Sequence, residues 1–316
     1  MNIRLGIIGT GRIASRAISE IEKVDGLKIT AIVNPNQKHA RDFADKYGID
    51  NAFEVIEKLM GVADASYVAS PHGTHFGYTR DLLNMGLHVI CEKPMSLNPE
   101  HAGSLYVLAA EKELVLMEGL KTAYCPGFKK IEEVLSSGVI GDVVDVEAAF
   151  TRLTAVGCRE YDDKKYGGSF TEFGTYTMLP IFRFLGTDYC NVSIMSRSIE
   201  NVDGYTKAVF DFGGRFACAK TGLSVKSEGQ LLISGSKGYI IVPSPWWLTR
   251  YFEVRYEDSK KIDRYECEFE GDGLRYEFTE FVRRINEGIR IPDREIDEGI
   301  ARAGVFERFL KMRKTI

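Results

Sequence analysis

The chain has few cysteines and no excess of positive charge. Its six cysteines lie far apart and form no CxxC pair, which fits neither a zinc site nor a small disulfide scaffold. We therefore expect reduced, packed thiols and no metal. The formal net charge of -4 gives no general attraction to phosphate backbones or anionic lipid surfaces, so neither nucleic acid nor a membrane is an expected partner.

Long apolar runs are also missing. The start MNIRLGIIG is a short apolar run followed at once by glycine and Arg12, too short for a membrane span and without a signal-peptide cleavage pattern. We therefore expect a cytoplasmic protein. The 316 residues exceed the roughly 250 to 300 at which one core usually splits, so two domains are expected. On length alone, a single large barrel remains open.

The first part of the chain alternates short apolar runs with helical patterns, and this order predicts a doubly wound parallel sheet covered on both faces. The predicted strands are 3–8, 29–33, 65–69, 88–91 and 114–117, and the predicted helices are 12–24, 37–47, 74–85 and 99–112.

After about residue 140, apolar residues recur at every second position, and this pattern predicts a large open antiparallel sheet. The predicted strands are 143–151, 206–212, 215–221, 230–234 and 251–256, and closing helices are predicted at 274–288 and 296–311. The fold class is therefore α/β followed by α+β, with a first domain over 1–120 and a second over 121–316. No Pro/Gly-rich linker marks this boundary.

The stretch GTGRIA lies between the first predicted strand and the first predicted helix. Its GxGxxA pattern (Gly9, Gly11, Ala14) allows a tight turn, close approach of a pyrophosphate and close packing of helix on strand. This context predicts a Rossmann domain that binds NAD or NADP through Gly9 to Ile13.

The end of the second strand bears on the choice of cofactor. An acidic residue there would bind the ribose 2′-hydroxyl and repel a 2′-phosphate, but the chain has Asn34. Asn34 can hydrogen-bond either ribose, and Arg12, Lys38 or Arg41 can pair with a phosphate. We favour NADP over NAD, although Lys38 and Arg41 also fit an ordinary solvated helix face.

The fifth strand runs into Glu92-Lys93-Pro94, so Lys93 is expected at the cofactor crevice. Pro94 restricts Lys93 to extended conformations and is compatible with a cis peptide bond. All five histidines precede residue 102. If the second domain supplies a proton-transferring group, that group must be Tyr, Glu or Lys.

GTGRIA, SPHGTH at 70–75, Glu92-Lys93-Pro94 and Ile140-Gly141 together resemble the Gfo/Idh/MocA oxidoreductase family, over essentially the whole chain. The resemblance implies homodimers or homotetramers formed through the open sheet. The cofactor-binding residues that we predict are Gly9, Thr10, Gly11, Arg12, Ile13, Asn34, Lys38, Ser70, Pro71, His72, His75, Glu92 and Lys93.

The family's second signature is approximately GGGxLxDxGxH, and its counterpart here is GGSFTEFGTY at 167–176. Glu172 stands for the Asp and Tyr176 for the His. The resemblance implies that both lie on one helix and reach the active site. In the mechanism that we predict, Lys93 stabilises an alkoxide, Tyr176 moves its proton, and Glu172 positions the substrate or Lys93. Glu in place of Asp departs from the family pattern. Lys121, in the family's interdomain segment, is a candidate substrate contact or an exposed lysine without a role.

The predicted function is hydride transfer between a nicotinamide and a carbinol carbon of a sugar, polyol or cyclic diol. Two alternatives are a non-catalytic dinucleotide-binding sensor and an NAD-dependent glycosidase that oxidises its substrate transiently. Trp246-Trp247 fits a sugar-stacking platform or, more simply, structural packing.

Overall fold

The computed structural model describes residues 2–289 and 292–313. The chain divides into two compact units. Within these ranges, the first unit contains residues 2–121, 270–289 and 292–304, and the second contains 122–269 and 305–313. No helix in these described ranges is both long enough and apolar enough to cross a bilayer.

The strands are β1 (Ile3–Ile8), β2 (Leu27–Val33), β3 (Asn51–Phe53), β4 (Ala65–Val68), β5 (His88–Glu92), β6 (Leu116–Gly119), β7 (Val143–Thr151), β8 (Asn191–Ile199), β9 (Val202–Asp211), β10 (Phe216–Gly222), β11 (Leu231–Gly235), β12 (Tyr239–Val242), β13 (Tyr251–Arg255) and β14 (Ile262–Glu266). The helices are α1 (Arg12–Ile21), α2 (Gln37–Tyr47), α3 (His75–Asn84), α4 (Pro99–Glu111), α5 (Pro126–Ser136), α6 (Arg159–Asp162), α7 (Ser169–Leu185), α8 (Leu274–Glu287) and α9 (Asp293–Arg313).

The first unit contains a six-stranded parallel sheet in the order β3-β2-β1-β4-β5-β6. This is the strand order of a dinucleotide-binding Rossmann fold. The central strands β1, β4 and β5 are almost completely buried, as expected of a sheet covered on both faces. The predicted doubly wound domain is confirmed.

Residues 270–289 and 292–304 belong to the first unit, whereas the predicted second domain, 121–316, included them. The reason is the packing of α8. Phe278 lies edge-on against Tyr67 of β4 at 5.1 Å between ring centroids, and Arg275 forms an ion pair with the buried Glu20 of α1 at 2.9 Å. These contacts join distant parts of the chain, and the order of elements along the sequence does not reveal them.

The second unit contains an eight-stranded sheet in the order β14-β13-β12-β11-β7-β10-β9-β8. Neighbouring strands of this sheet run antiparallel, except for β7 and β10, which pair in parallel. Helix α7 packs on β7, β9 and β10, and the strands turn small buried residues such as Ala148, Ala208 and Ala219 toward the interior. The predicted large sheet flanked by helices is confirmed, and it is antiparallel as predicted except for the pair β7 and β10.

The start of α7 is fixed by Asp203 of β9. One oxygen of its buried carboxylate accepts hydrogen bonds from the backbone N–H of Phe170 (2.7 Å) and the hydroxyls of Ser169 (2.8 Å) and Thr206 (2.9 Å). Gly168 precedes the helix with φ +104°, and a Cβ there would collide with Asp203. The carboxylate of Asp203 thus accepts a hydrogen bond from one of the backbone N–H groups at the helix start, which have no partner within the helix.

Candidate active site

The turn between β1 and α1 is shaped for close approach of a ligand. Gly9 has φ +109°, and a Cβ at this position would lie 2.5 Å from the carbonyl oxygen of Ala69. A Cβ on Gly11 would meet no atom of the described residues within 4 Å and would fill the open space beside the turn. Gly9 is therefore needed for the backbone path, and Gly11 keeps that space free.

The N-terminus of α1 suits a pyrophosphate. Its first turn contains no acidic residue, and no side chain in the described part of the chain caps it. The amide of Asn34 donates to the Thr10 hydroxyl at 2.8 Å and accepts from the backbone N–H of Asn36 at 2.9 Å, so its orientation is fixed. Arg12 and Lys38 are exposed. These residues fit a nicotinamide dinucleotide, with no carboxylate at the end of β2 to repel a 2′-phosphate.

The segment after β4 carries Ser70, Pro71, His72 and His75. Ser70 and His72 are half-buried and Pro71 is exposed. His75 is fully buried, and its two ring nitrogens each lie 2.8 Å from a carbonyl oxygen, those of Ser70 and Pro94. Burial lowers the pKa of His75. Because this ring is enclosed, the structure places it between the two backbone segments and not on a cofactor-facing surface, contrary to the direct contact expected.

The end of β5 places two charged side chains in a nearly closed environment. Glu92 is 6% exposed and accepts a 2.6 Å hydrogen bond from the Tyr67 hydroxyl. Burial raises the pKa of Glu92, although the charge of Lys93 opposes the shift. Lys93 is 8% exposed, and the peptide bond before Pro94 is cis. Lys93 therefore lies at the carboxyl edge of the parallel sheet, the edge that also carries the glycine turn.

Two further residues of the first unit interact electrostatically with Glu92. Glu277 of α8 is completely buried, and neither of its carboxyl oxygens has a hydrogen-bond partner among the described residues. Burial, reinforced by the charge of Glu92, raises the pKa of Glu277 well above its ordinary value, and Lys121 opposes this shift. Lys121 is 8% exposed and donates to the backbone carbonyl of Asp272.

Glu277 was not among the predicted site residues, although its position in the sequence carries a signal. Glu277 lies in the apolar stripe of α8 formed by Leu274, Phe278 and Phe281, where a charged residue is out of place. A carboxyl on the buried face of an amphipathic helix is a candidate for a perturbed pKa.

In the second unit, Glu172 and Tyr176 lie one turn apart on α7, as the resemblance implied. The Glu172 carboxylate accepts a 2.8 Å hydrogen bond from the Arg159 guanidinium. Tyr176 is partly exposed, and its ring centroid lies 5.3 Å from that of Phe150. Arg159 was not predicted, because an ion pair between residues 13 positions apart depends on the fold.

The two adjacent tryptophans have different environments. Trp246 is fully buried and donates its indole N–H to the carbonyl of Ala149 at 2.9 Å, which is a packing role. Trp247 is partly exposed and stacks on Phe150 with 3.6 Å between ring centroids. Trp247 therefore extends the aromatic cluster that contains Tyr176, and the pair does not form one common platform.

The structure thus gathers the predicted residues into two sets. Within the first unit lie the glycine turn, Asn34 and the segment 70–75, together with Lys93 and Lys121. Glu172 and Tyr176 lie in the second unit. Within the described residues, no group of three or more His, Cys, Asp or Glu side chains is placed to hold a metal ion.

A Rossmann sheet with a glycine turn and an open helix N-terminus defines a protein that binds a nicotinamide dinucleotide. The family model described as "Oxidoreductase family, NAD-binding Rossmann fold" matches residues 3–120, and the Gfo/Idh/MocA C-terminal domain matches 128–241. The chain therefore belongs to the Gfo/Idh/MocA family of oxidoreductases, and it is an enzyme that uses NAD or NADP. The predicted family, enzyme class and cofactor type are confirmed.

Several relatives match along nearly their whole length. The chain is 26% identical over 300 residues to scyllo-inositol 2-dehydrogenase (NADP(+)) of Bacillus subtilis, covering 90% of this chain and 89% of that protein. It is 24% identical over 305 residues to human trans-1,2-dihydrobenzene-1,2-diol dehydrogenase, covering 92% and 90%.

Solved structures show the same fold. A 3-ketoreductase from Actinomadura kijaniata, in complex with NADP and TDP-benzene, superposes with a TM-score of 0.83 at 22% identity, covering 97% of this chain and 96% of that chain. UDP-N-acetylglucosamine 3-dehydrogenase from Acidithiobacillus ferrooxidans gives a TM-score of 0.82 at 18% identity, covering 98% and 99%.

Proposed function

We propose that the chain is a dehydrogenase or reductase that acts on a CH–OH group of a sugar, an inositol-like polyol or a cyclic diol. The observation that carries this proposal is the position of Lys93, nearly buried at the carboxyl end of β5, on the same sheet edge as the Gly9–Gly11 turn. The relatives named above, an inositol dehydrogenase and a dihydrodiol dehydrogenase, support this choice of substrate class.

The cofactor proposal follows from the end of β2. Gly9 to Ile13 would hold the pyrophosphate, Asn34 would bind the ribose, and Arg12 and Lys38 would favour NADP over NAD. Ser70, Pro71 and His72 would border the cofactor, with His75 positioning them through the Ser70 carbonyl. When bound, the nicotinamide supplies the acceptor or donor of the hydride.

Side chains of the protein transfer the hydroxyl proton of the substrate and stabilise the negative charge that develops on its oxygen. In our proposal, Tyr176 in its phenolate form accepts the hydroxyl proton of the substrate during oxidation and becomes the phenol, and the phenol donates that proton to the substrate oxygen during reduction. The Lys93 ammonium stabilises the developing alkoxide, and Glu172, held by Arg159, orients a substrate hydroxyl as a hydrogen-bond acceptor. Glu92 precedes Lys93 in the chain, and the charge of Lys93 acts on the Glu92 carboxyl.

Of the two expectations for Lys121, an exposed lysine without a role does not fit a side chain that is 8% exposed, and we propose a limited contact with the substrate. Its ammonium donates to the Asp272 carbonyl, and its charge acts on Glu277. We propose that Lys121 balances the buried carboxyls behind Lys93 and contacts the substrate through the small part of its side chain that is exposed.

We propose further that the enzyme is a cytoplasmic homo-oligomer. None of the six cysteines, all within the described residues, forms a disulfide, as expected in a reducing compartment. The face of the second sheet opposite α7 exposes Met195, Val209 and Phe216 on adjacent strands. Such a row favours burial against a second copy of the chain.

The test is an absorbance screen at 340 nm with NAD and NADP, separately, against aldoses, inositols and cyclic diols. We expect turnover that Lys93→Ala and Tyr176→Phe each reduce by about 100-fold or more, with cofactor binding retained. Lys58→Ala and Tyr239→Phe, an exposed lysine and a partly exposed tyrosine outside the proposed site, are matched controls.

The alternatives give different results in the same screen. A non-catalytic sensor would bind the cofactor and turn over no compound. An NAD-dependent glycosidase would release product without net change at 340 nm. Turnover that Tyr176→Phe leaves intact would contradict the proton-transfer role proposed for that residue.

A further inference from the structure

Two arginines border the loop that follows β7 in the second unit. Arg152 comes directly after the strand, and Arg159 begins α6. Both side chains are 46% exposed. The two arginines thus lie at the two ends of one short loop, residues 153–158.

Each guanidinium is held by a carboxylate that is itself buried. Arg159 donates through one terminal nitrogen to Glu172, whose side chain is 11% exposed, at 2.8 Å. Arg152 donates through one terminal nitrogen to Glu160, whose side chain is 2% exposed, at 3.4 Å. The described residues provide neither guanidinium with a second acceptor. A guanidinium has five N–H donors, so most of them remain available to a ligand.

The two arginines lie beside the helix turn that carries Tyr176. The partner of Arg159, Glu172, is one turn before Tyr176 on α7. The Arg152 guanidinium lies 5.4 Å from the ring centroid of Phe173, the residue after Glu172. Phe173 in turn stacks on Phe150, which contacts Tyr176. All of these contacts are within the second unit.

Stability gives little reason for this arrangement. Ion pairs with a half-exposed partner contribute little to the free energy of unfolding. The arrangement does suit recognition, because a guanidinium binds carboxylate or phosphate oxygens in a planar, two-pronged geometry. Glu160 and Glu172 hold the guanidiniums in place and offset the repulsion between two positive charges before a ligand arrives.

From these contacts, and resting on the function proposed above, we propose that the substrate is an anionic sugar or polyol whose carboxylate or phosphate is bound by Arg152 and Arg159. The Tyr176 hydroxyl then faces a carbinol of the same molecule. Trp247, partly exposed and stacked on Phe150, provides an apolar surface for the ring of that substrate.

The experiment compares neutral and anionic members of one substrate series. Glucose is measured against glucose 6-phosphate, glucuronate and UDP-glucose, and myo-inositol against an inositol monophosphate, each with NADP and with NAD. The variants are Arg152→Gln, Arg159→Gln and Arg159→Lys. The control is Arg264→Gln, which removes a half-exposed, ion-paired arginine of the same unit.

We expect at least one anionic member to have a kcat/KM about 10-fold or more above its neutral counterpart. Arg152→Gln should remove most of that advantage through KM, while turnover of the neutral compound stays within about twofold because Arg152 has no role in the chemistry. Arg159→Lys should restore part of what Arg159→Gln loses, since the charge returns without the planar fork. Arg264→Gln should leave kcat/KM unchanged for both the neutral and the anionic compounds.

The anionic compounds differ in the group that carries the negative charge, so the preferred compound identifies that group. A preference for glucuronate identifies a carboxylate, a preference for glucose 6-phosphate or the inositol monophosphate identifies a phosphate monoester, and a preference for UDP-glucose identifies a nucleotide diphosphate. Equal turnover of neutral and anionic members, unchanged by Arg152→Gln, would overturn this inference and leave the proposed function standing. No turnover of any member with either cofactor would count against both.

Discussion

At the scale of single residues, Glu277 has the most unusual environment in the first unit. It is fully buried, and neither carboxyl oxygen has a partner among the described residues. Burial, reinforced by the charge of Glu92, favours the neutral form of this carboxyl, and the charge of Lys121 opposes that effect. The raised pKa of Glu277 makes the stability of the protein depend on pH.

The sign of this dependence follows from the direction of the shift. Below the ordinary glutamate pKa of about 4.3, Glu277 is protonated in both the folded and the unfolded state and has no effect. As pH rises above that value, the unfolded chain loses the proton and the folded chain keeps it. Stability therefore decreases by up to about 1.4 kcal/mol per pH unit until the raised pKa is reached.

We predict that Glu277→Gln removes this loss. The free energy of unfolding of the variant, relative to the unsubstituted enzyme, should increase as pH rises from about 5 to about 7. Urea denaturation at several pH values measures it, with Glu287→Gln, an exposed residue of the same helix, as the control. If the free energy of unfolding changed with pH in the same way in Glu277→Gln and in the unsubstituted enzyme, the pKa of Glu277 would not be raised in the folded state.

At the scale of elements, α7 is the helix on which the proposed chemistry depends. Its N-terminus is fixed by the buried Asp203, which accepts hydrogen bonds from Ser169, Phe170 and Thr206. Burial raises the pKa of Asp203, and these hydrogen bonds oppose the shift. Loss of the carboxyl would leave three donors without their acceptor and release the turn that precedes Glu172.

We predict that Asp203→Ala lowers the free energy of unfolding by about 3 kcal/mol and lowers kcat more than it raises KM. Asp203→Asn keeps an acceptor of similar shape, so its free energy of unfolding and its kcat should both decrease clearly less than those of Asp203→Ala. Chemical denaturation and steady-state kinetics measure the two effects. A variant Asp203→Ala with normal stability and normal kcat would show that this carboxylate does not position α7.

Local sequence patterns were sufficient for most elements of the first unit. The predicted β1 and α2 coincide with the observed Ile3–Ile8 and Gln37–Tyr47, because buried strands and amphipathic helices leave a clear period. Strands β8 and β14 were missed because their residues are mainly polar and exposed. Helix α7 was found only through the family resemblance, since it is buried on nearly all sides and shows no polar face.

The same contrast holds for the candidate site. GxGxxA and Glu92-Lys93-Pro94 are each a continuous stretch of sequence. The strands and helices predicted on either side of each stretch were therefore enough to place it at the cofactor site. The pairing of Arg159 with Glu172 and the approach of Glu277 to Glu92 depend on chain segments brought together by the fold. Spacing in the sequence carries no signal for such contacts.

At the scale of the whole molecule, the open face of the second sheet governs assembly in our account. Val209 is 38% exposed and lies opposite Cys218 and Ser193 in the registers of its two neighbouring strands. Strands β8, β9 and β10 thus present Met195, Val209 and Phe216 on one region of the sheet.

We predict that the enzyme is a dimer or tetramer and that Val209→Asp shifts it toward the monomer, because a buried unpaired charge at an interface is costly. Light scattering after size-exclusion chromatography measures the mass. Lys58→Asp, a charge change on the first unit, is the control. A monomer before any substitution, or an oligomer that Val209→Asp leaves intact, would contradict this use of the sheet.

The central claim is that hydride passes directly between the nicotinamide and a carbinol carbon of the substrate. The most direct measurement uses an alcohol substrate deuterated at the reacting carbon, with oxidised cofactor, and mass spectrometry of the reduced cofactor formed. Our account predicts one deuterium in that cofactor, and a rate of label transfer that falls about 100-fold or more in Lys93→Ala and Tyr176→Phe. Product formed without labelled cofactor would contradict it.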